Sequence, residues 1–323
     1  MSRLTELAAW LKAHDNFIVQ GHINPDGDAS GSCIALCLAL KALGKHAFVY
    51  LPGGLAKMYG GFELSTEIYS GSDLPFRPET AFSVDVSDKK RLGSGGELFD
   101  ACADKAVLDH HSTNEGFGDI CFVDGEAAAC GELALELIRE LGVELTREMA
   151  TWLYVAICTD CGRFGYSSTK PETMIAAAEC LRAGIDVDMI HRELYRTRSE
   201  GKTRLLGLAL QDMQLNADKT VCWCSLPRDM YARAGALPED RDGIVNYLLE
   251  IKGVQVACLA EERGEGATKF SLRSKPPVDV GNQVCAPLGG GGHACAAGIT
   301  LNLPLREALE AVLRQIDIAL GKE

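Results

Sequence analysis

The chain has 323 residues, 47% hydrophobic and 24% charged, enough for two domains of ordinary size and unlike a disordered polypeptide. Thirty-two basic residues against 45 acidic ones give a net charge of −13, which argues against the basic surface that usually holds long nucleic acid. An acidic chain binds phosphates through a compact local pocket, so small substrates are expected. No apolar run approaches the roughly 20 residues of a bilayer span.

In chain order, MSRLTELAAWLKAHDN predicts an amphipathic helix rather than a signal peptide, and the expected location is cytoplasmic. Residues 16–20 predict a strand, 31–43 a helix and 46–50 a strand. Residues 81–84 and 105–108 predict further short apolar strands of the buried parallel kind. Helical periodicity covers 128–141 and 147–158. This order predicts an α/β domain on a largely parallel sheet, with its ligand site at the C-terminal strand ends. Residues 171–211 read as helical with few breaks (173–183, 186–195 and 199–211), with Asp186 and Thr197 as caps. Strands return at 221–226, 254–261 and 268–273, with a helix near 241–251. A last strand at 298–301 precedes a helix from Pro304. The domain boundary is expected within 190–215.

Thirteen cysteines are an odd number at irregular spacing, and most read as buried thiols of a reducing compartment. Cys158 and Cys161 form a C-x-x-C, either a redox pair or half a zinc site, but no second such pair follows at zinc-ribbon spacing. Cys222 and Cys224 fit core positions of a strand.

Chemistry begins after the first strand, in Gly21-His22-Ile23-Asn24-Pro25-Asp26-Gly27-Asp28. An imidazole and two carboxylates on one turn suit hard to borderline cations. In an extended chain Asp26 and Asp28 would point opposite ways, one toward each of two ions. The plain alternative is a polar turn with a helix cap at Asp28 or Ser30. Asp85 follows the strand at 81–84 directly, Asp109-His110-His111 follow the strand at 105–108, and Asp160 ends an apolar helical run. Asp or His at each of these ends is the pattern of an open α/β sheet building a site. Farther on, Gly289–Gly292 would let backbone N–H groups approach a phosphate, with His293 and Arg273 adding charge-assisted bonds. The alternative there is a flexible turn.

These residues together resemble the DHH phosphoesterase superfamily. Its four motifs correspond to GHINPDGD, SVDVSD, DHH and CTDCGRF, and PLGGGGHACAAG with the upstream Ser271–Ser274 strand resembles the DHH-associated domain. Length and motif style are most similar to bacterial oligoribonucleases that also remove the 3′-phosphate of 3′-phosphoadenosine 5′-phosphate. The resemblance implies a catalytic domain at 1–190, a helical linker at 191–215 and a smaller substrate-binding α/β domain at 216–323. It implies two divalent cations, manganese foremost with magnesium or cobalt as alternatives. His22, Asp26 and Asp85 would hold the first, and Asp28, Asp85, His110 and Asp160 the second, with Asp85 shared. Asp109 would orient His110, and His111 would face the substrate phosphate. Two ions at one site activate water and neutralise developing charge, so in-line hydrolysis is expected. Cys161 stands where the family usually has Thr.

The expected partners are short RNA oligonucleotides or small nucleotides, with no long duplex and no membrane; a homodimer is compatible. Alternatives are a cyclic di-AMP or pApA phosphodiesterase, a manganese-dependent pyrophosphatase (which lacks the GGGGH loop), a larger RecJ-type exonuclease, a non-catalytic nucleotide sensor and a redox protein. Arg163, Phe164 and Tyr166 are placed to contact a base or to pack locally. His191 and Arg198 are read as exposed, at a dimer contact or at substrate, His46 as surface, and Trp10, Trp152 and Trp223 as core.

Overall fold

The computed structural model describes residues 3–264 and 266–322, in two compact units, Met1–Thr197 and Arg198–Glu323. The first unit runs α1 (Arg3–Ala13), β1 (Phe17–Gln20), α2 (Gly27–Ala42), β2 (Ala47–Tyr50), β3 (Ile68–Tyr69), β4 (Thr80–Val84), α3 (Gly95–Ala101), β5 (Asp104–Asp109), β6 (Ile120–Val123), α4 (Cys130–Leu141), α5 (Arg147–Asp160), α6 (Pro171–Arg182) and α7 (Val187–His191). A π-helical turn, Arg192–Arg196, follows.

All six strands are parallel, in the order β3-β2-β1-β4-β5-β6. The order reverses between β1 and β4, the switch point where doubly wound sheets open a crevice. Period-two alternation sends Phe17, Val19, Phe82, Val84, Ala106 and Leu108 into the larger core with α2, α4 and α5. Ile18, Phe48, Tyr50 and Ala81 face the opposite side, with Phe99 of α3.

Helix α2 crosses α5 closely because of glycine. A Cβ on Gly31 would meet the Trp152 carbonyl oxygen at 2.2 Å, and one on Gly27 would meet Thr159 Oγ1 at 2.2 Å. The crossing brings the start of α2 beside the end of α5.

The second unit runs α8 (Glu200–Gln211), β7 (Gln214–Leu215), β8 (Val221–Leu226), α9 (Arg228–Ala234), α10 (Ile244–Leu249), β9 (Val256–Arg263), β10 (Ala267–Ser274), β11 (Gly291–His293), β12 (Ala296–Leu301) and α11 (Leu305–Ala319). Its sheet has the order β11-β12-β10-β9-β8-β7, with only β8 and β9 parallel. One core holds Phe270, Leu272 and Ile299 with Val312 and Ile316 of α11; another holds Cys222 and Cys224 with Leu205, Met230 and Leu248.

The fold is the expected α/β architecture of a parallel-sheet unit and a smaller second unit. Differences are local. Helix α2 starts at Gly27, not residue 31, because Asp26 caps it by accepting the N–H groups of Asp28 and Ala29. The cap of α8 is Ser199, which accepts the Lys202 N–H, rather than Thr197; Asp186 caps α7 through the Met189 N–H. Segment 191–215 divides between the units, since Leu205 and Ala209 of α8 lie in a core of the second. No helix among the described residues is long and apolar enough to cross a membrane.

Candidate metal centre

Three strand ends and two helix ends converge at the switch point. His22 lies just past β1, Asp26 and Asp28 open α2, Asp85 follows β4, Asp109 ends β5 with His110 and His111 beyond it, and Asp160 is the last residue of α5. Asp85 has a left-handed backbone (φ 60°), a conformation uncommon outside glycine that turns its side chain at the strand end.

Among the described residues, three groups bring ligand atoms within 4.8 Å of one another: His22, Asp26 and Asp85; Asp28, His110 and Asp160; and Asp85, His110 and His111. His22 Nε2 lies 3.7 Å from Asp26 Oδ2 and 3.8 Å from Asp85 Oδ2. His110 Nε2 lies 3.7 Å from Asp28 Oδ2, 3.5 Å from Asp85 Oδ1 and 3.6 Å from Asp160 Oδ2. Asp85 thus turns one oxygen to each side of the cluster.

Bringing these carboxylates together is electrostatically costly. Asp28 is buried and lies near Asp160, and both effects push its carboxyl up to about 7 while His110 pulls the other way. Burial and then the Asp28 carboxylate hold Asp85 well above the ordinary carboxylate range. Asp160 is also raised, first by burial. Asp85 Oδ1 is buried without a hydrogen-bond partner. A buried acceptor left bare among like charges fits a cation, and oxygen with imidazole donors suits a hard to borderline divalent ion.

Each side chain is held by its own bonds. Asp28 Oδ2 accepts the Cys130 N–H (2.6 Å), and its Oδ1 accepts the Gly131 N–H (2.9 Å) and the Ser32 hydroxyl (3.0 Å), tying α2 to the start of α4. Of the two readings of this turn, the helix start holds and the extended chain does not, with the cap at Asp26 rather than Asp28 or Ser30. Asp109 holds the ring of His111, not of His110: its Oδ1 accepts His111 Nδ1–H at 2.8 Å and the His110 backbone N–H at 2.9 Å. The His110 ring sits with Nδ1 3.3 Å from the Ala127 carbonyl oxygen.

Asp109 Oδ2 accepts from Asn114 Nδ2 at 2.7 Å, and the same nitrogen donates to the Val86 carbonyl at 2.9 Å. Burial opposes charge on Asp109, but the bonds from His111 and Asn114 outweigh it and its carboxyl titrates below the ordinary value. The bond to Asp109 raises His111 in turn. Asn114 carried no sequence signal.

Cys158 and Cys161 are buried free thiols, and burial raises both, which makes them poor nucleophiles. Cys161 Sγ accepts the Phe164 N–H at 3.2 Å. The ring of His191 meets Tyr154 Oη at 3.1 Å, Arg198 donates to Tyr247 Oη, and His46 pairs with Asp15 at the surface.

In the second unit the glycine run is partly strand. Gly291–His293 pair with β12, and a Cβ on Gly290 would meet the Gly298 carbonyl oxygen at 2.5 Å. Close packing therefore requires glycine there, and the ladder rules out the alternative of a flexible turn over Gly291–His293. Arg273 and His293 both stand opposite Ala296, from β10 and β11, so they share one face with only a methyl group between them. Gly289 has a left-handed φ of 86°.

A parallel sheet with aspartates and histidines at its switch point defines a class of metal-assisted hydrolases, and comparison with known proteins specifies the class. The DHH family N-terminal domain matches residues 16–157 and the DHHA1 domain matches 227–322. The bifunctional oligoribonuclease and PAP phosphatase NrnA of Thermus thermophilus is 36% identical over 315 residues, covering 96% of this chain and 92% of its own. The chain belongs to the DHH family of phosphoesterases. An exopolyphosphatase-related protein from Bacteroides fragilis has the same fold, with a TM-score of 0.89 and 26% identity over 98% of this chain and 96% of that one. The manganese complex of RecJ from Thermus thermophilus shares the fold alone, with a TM-score of 0.56 and 17% identity, covering 100% of this chain and 55% of that one.

Proposed function

We propose that the chain hydrolyses short oligoribonucleotides and dinucleotides to mononucleotides, and removes the 3′-phosphate of 3′-phosphoadenosine 5′-phosphate, using two divalent cations with manganese foremost. The observation that carries this reading is Asp85, whose two oxygens face His22 on one side and His110 on the other. The names of the NrnA relatives supply the substrate class. The net charge of −13 favours short substrates over long duplex. Thirteen free cysteines, mostly buried, suit the cytoplasm.

His22, Asp26 and Asp85 would hold one ion, and Asp28, Asp85, His110 and Asp160 the other. Bound there, the ions would supply Lewis acidity and a nucleophilic water at neutral pH. The chain's residues do the rest. Asp109 takes the Nδ1–H of His111, which leaves Nε2 to face the substrate. The bond to Asp109 raises His111 and so favours the doubly protonated ring, whose Nε2–H would donate to a phosphate oxygen. Water adds to phosphorus, the phosphoester bond breaks, and the departing oxygen takes up a proton. Residues 1–190 would be the catalytic domain. Arg273 and His293, with the Gly289–Gly292 backbone, would grip a second phosphate or terminal group.

The test is incubation with manganese and a panel of pApA, short RNA, 3′-phosphoadenosine 5′-phosphate, cyclic di-AMP and pyrophosphate, with Asp85→Ala alongside. Mononucleotide release by the wild type alone, with metal content falling in the variant, is expected. Turnover of pyrophosphate alone would overturn the reading.

A further inference from the structure

The helix bearing Asp160 ends in an unusual turn. Gly162, Arg163 and Phe164 are all left-handed, with φ of 59°, 60° and 64°. Two successive L-residues in that region are disfavoured and persist only where the surroundings hold them. Here the tethers are explicit. Arg163 N–H donates to the Cys158 carbonyl at 2.8 Å and Phe164 N–H to Cys161 Sγ at 3.2 Å, while Gly165 and Tyr166 N–H reach the Cys161 carbonyl at 3.2 and 3.1 Å.

The strain determines where three side chains go. Phe164 turns onto Tyr154, with ring centroids 5.8 Å apart. Arg163 turns outward and lies over the ring of Tyr195, its Cζ 4.7 Å from the centroid. Tyr195 is fixed from below, with Oη 3.7 Å from Cys158 Sγ and its ring edge-on to His191. Tyr166 lies across Gly162, where any Cβ would come within 2.5 Å of the ring, and Tyr166 is 64% exposed.

We propose that Arg163, stacked on Tyr195, and Tyr166 form a nucleobase platform beside the phosphate centre. The proposal rests on the phosphoesterase reading above and specifies what the site selects. Among the described residues no carboxylate pairs with the Arg163 guanidinium, although Asp160 is three residues away and the chain is acidic. One guanidinium face covers Tyr195, and Arg163 as a whole is exposed. Flat cationic and aromatic surfaces stack bases of any sequence. Inorganic phosphates have no ring to place there. A nucleotide would set its phosphate at the carboxylate and histidine cluster and its base on Arg163 and Tyr166.

The test compares Mn-loaded full-length protein on pApA and on an analogue with both bases replaced by hydrogen. Arg163→Ala and Tyr166→Ala should each raise KM for pApA by about 5- to 100-fold and leave the base-free analogue unchanged. Arg163→Lys should resemble Arg163→Ala, because it keeps the charge and loses the plane. Fluorescence quenching of 2-aminopurine riboside 5′-monophosphate reports the stacking without turnover. Quenching lost in the Arg163 and Tyr166 variants supports the platform even where wild type leaves pApA intact, an outcome that would reject only the activity. Equal KM changes on both substrates, wild-type behaviour of Arg163→Lys, or unchanged quenching in the variants would overturn the platform.

Discussion

Replacing Asn114 by alanine removes the side-chain hydrogen bond to Asp109 Oδ2 and releases the Val86 carbonyl beside Asp85. Asp109 is fully buried and accepts three N–H groups, from His110, His111 and Asn114. A hydrogen bond to a charged group contributes about 1.5–3 kcal/mol. Asn114 is only half-buried, so water replaces part of the loss and about 1–2 kcal/mol is expected. With Trp223 changed to Phe, Trp10 and Trp152 are the remaining tryptophans, both in the first unit. Urea unfolding followed by their fluorescence therefore reads that unit alone.

The pH dependence has a definite sign. A carboxyl lowered in the fold contributes stability above its unfolded value, here 3.8, and loses it as pH falls through the folded value. The gap between wild type and variant should be constant above about pH 5 and narrow below about pH 4. Because Asp109 also sets the His111 ring, turnover should fall by about 10- to 100-fold. A variant within about 0.5 kcal/mol of wild type at pH 7, with unchanged turnover, would refute the clamp.

Three further outcomes are expected. With metal removed, folded Asp28 and Asp85 keep protons that the unfolded chain has released, so stability falls as pH rises from about 4 to 7, by up to about 1.4 kcal/mol per pH unit for each carboxyl. Manganese needs those carboxylates ionised, so the gain in thermal midpoint over EDTA-treated protein should widen from pH 5 to pH 8; a flat gain would count against this ligand set. Gly31→Ala would push α2 away from α5 at the Trp152 carbonyl, costing about 1–3 kcal/mol by urea unfolding and weakening manganese binding by calorimetry, and no change in either would contradict the crossing. Gly290→Ala would meet Gly298 and Ile299, destabilising the second unit by about 1–3 kcal/mol, read through Trp223 in a Trp10→Phe/Trp152→Phe background; an unmoved midpoint would contradict the packing.

Much of this architecture was legible because buried parallel strands leave short apolar runs, and Asp or His at their ends stands out. Strands β1, β2, β4 and β5 were found within two residues of their ends. Strands β3, β6, β7 and β11 were not: β3 and β7 have two residues each, β6 is a half-buried edge strand, and β11 consists of Gly-Gly-His. Three residues built largely of glycine carry no side-chain pattern, and only pairing with Ala296–Gly298 makes them a strand.

What the sequence conceals about the centre is how its charges are held. Spacing places Asp26 and Asp28 two residues apart and invites an extended reading with opposite directions. In the fold Asp26 caps a helix, and Asp28 turns inward to the N–H groups of Cys130 and Gly131, more than 100 residues away. Local spacing contains no information about such a partner. The same holds for the ring that Asp109 fixes, since adjacent His110 and His111 are equivalent until the Asn114 bond orients the carboxylate. Residue types therefore mark this switch point as a candidate cation site. The helix crossing at Gly31 and the hydrogen bonds behind Asp28 and Asp109 decide which atoms are turned toward it.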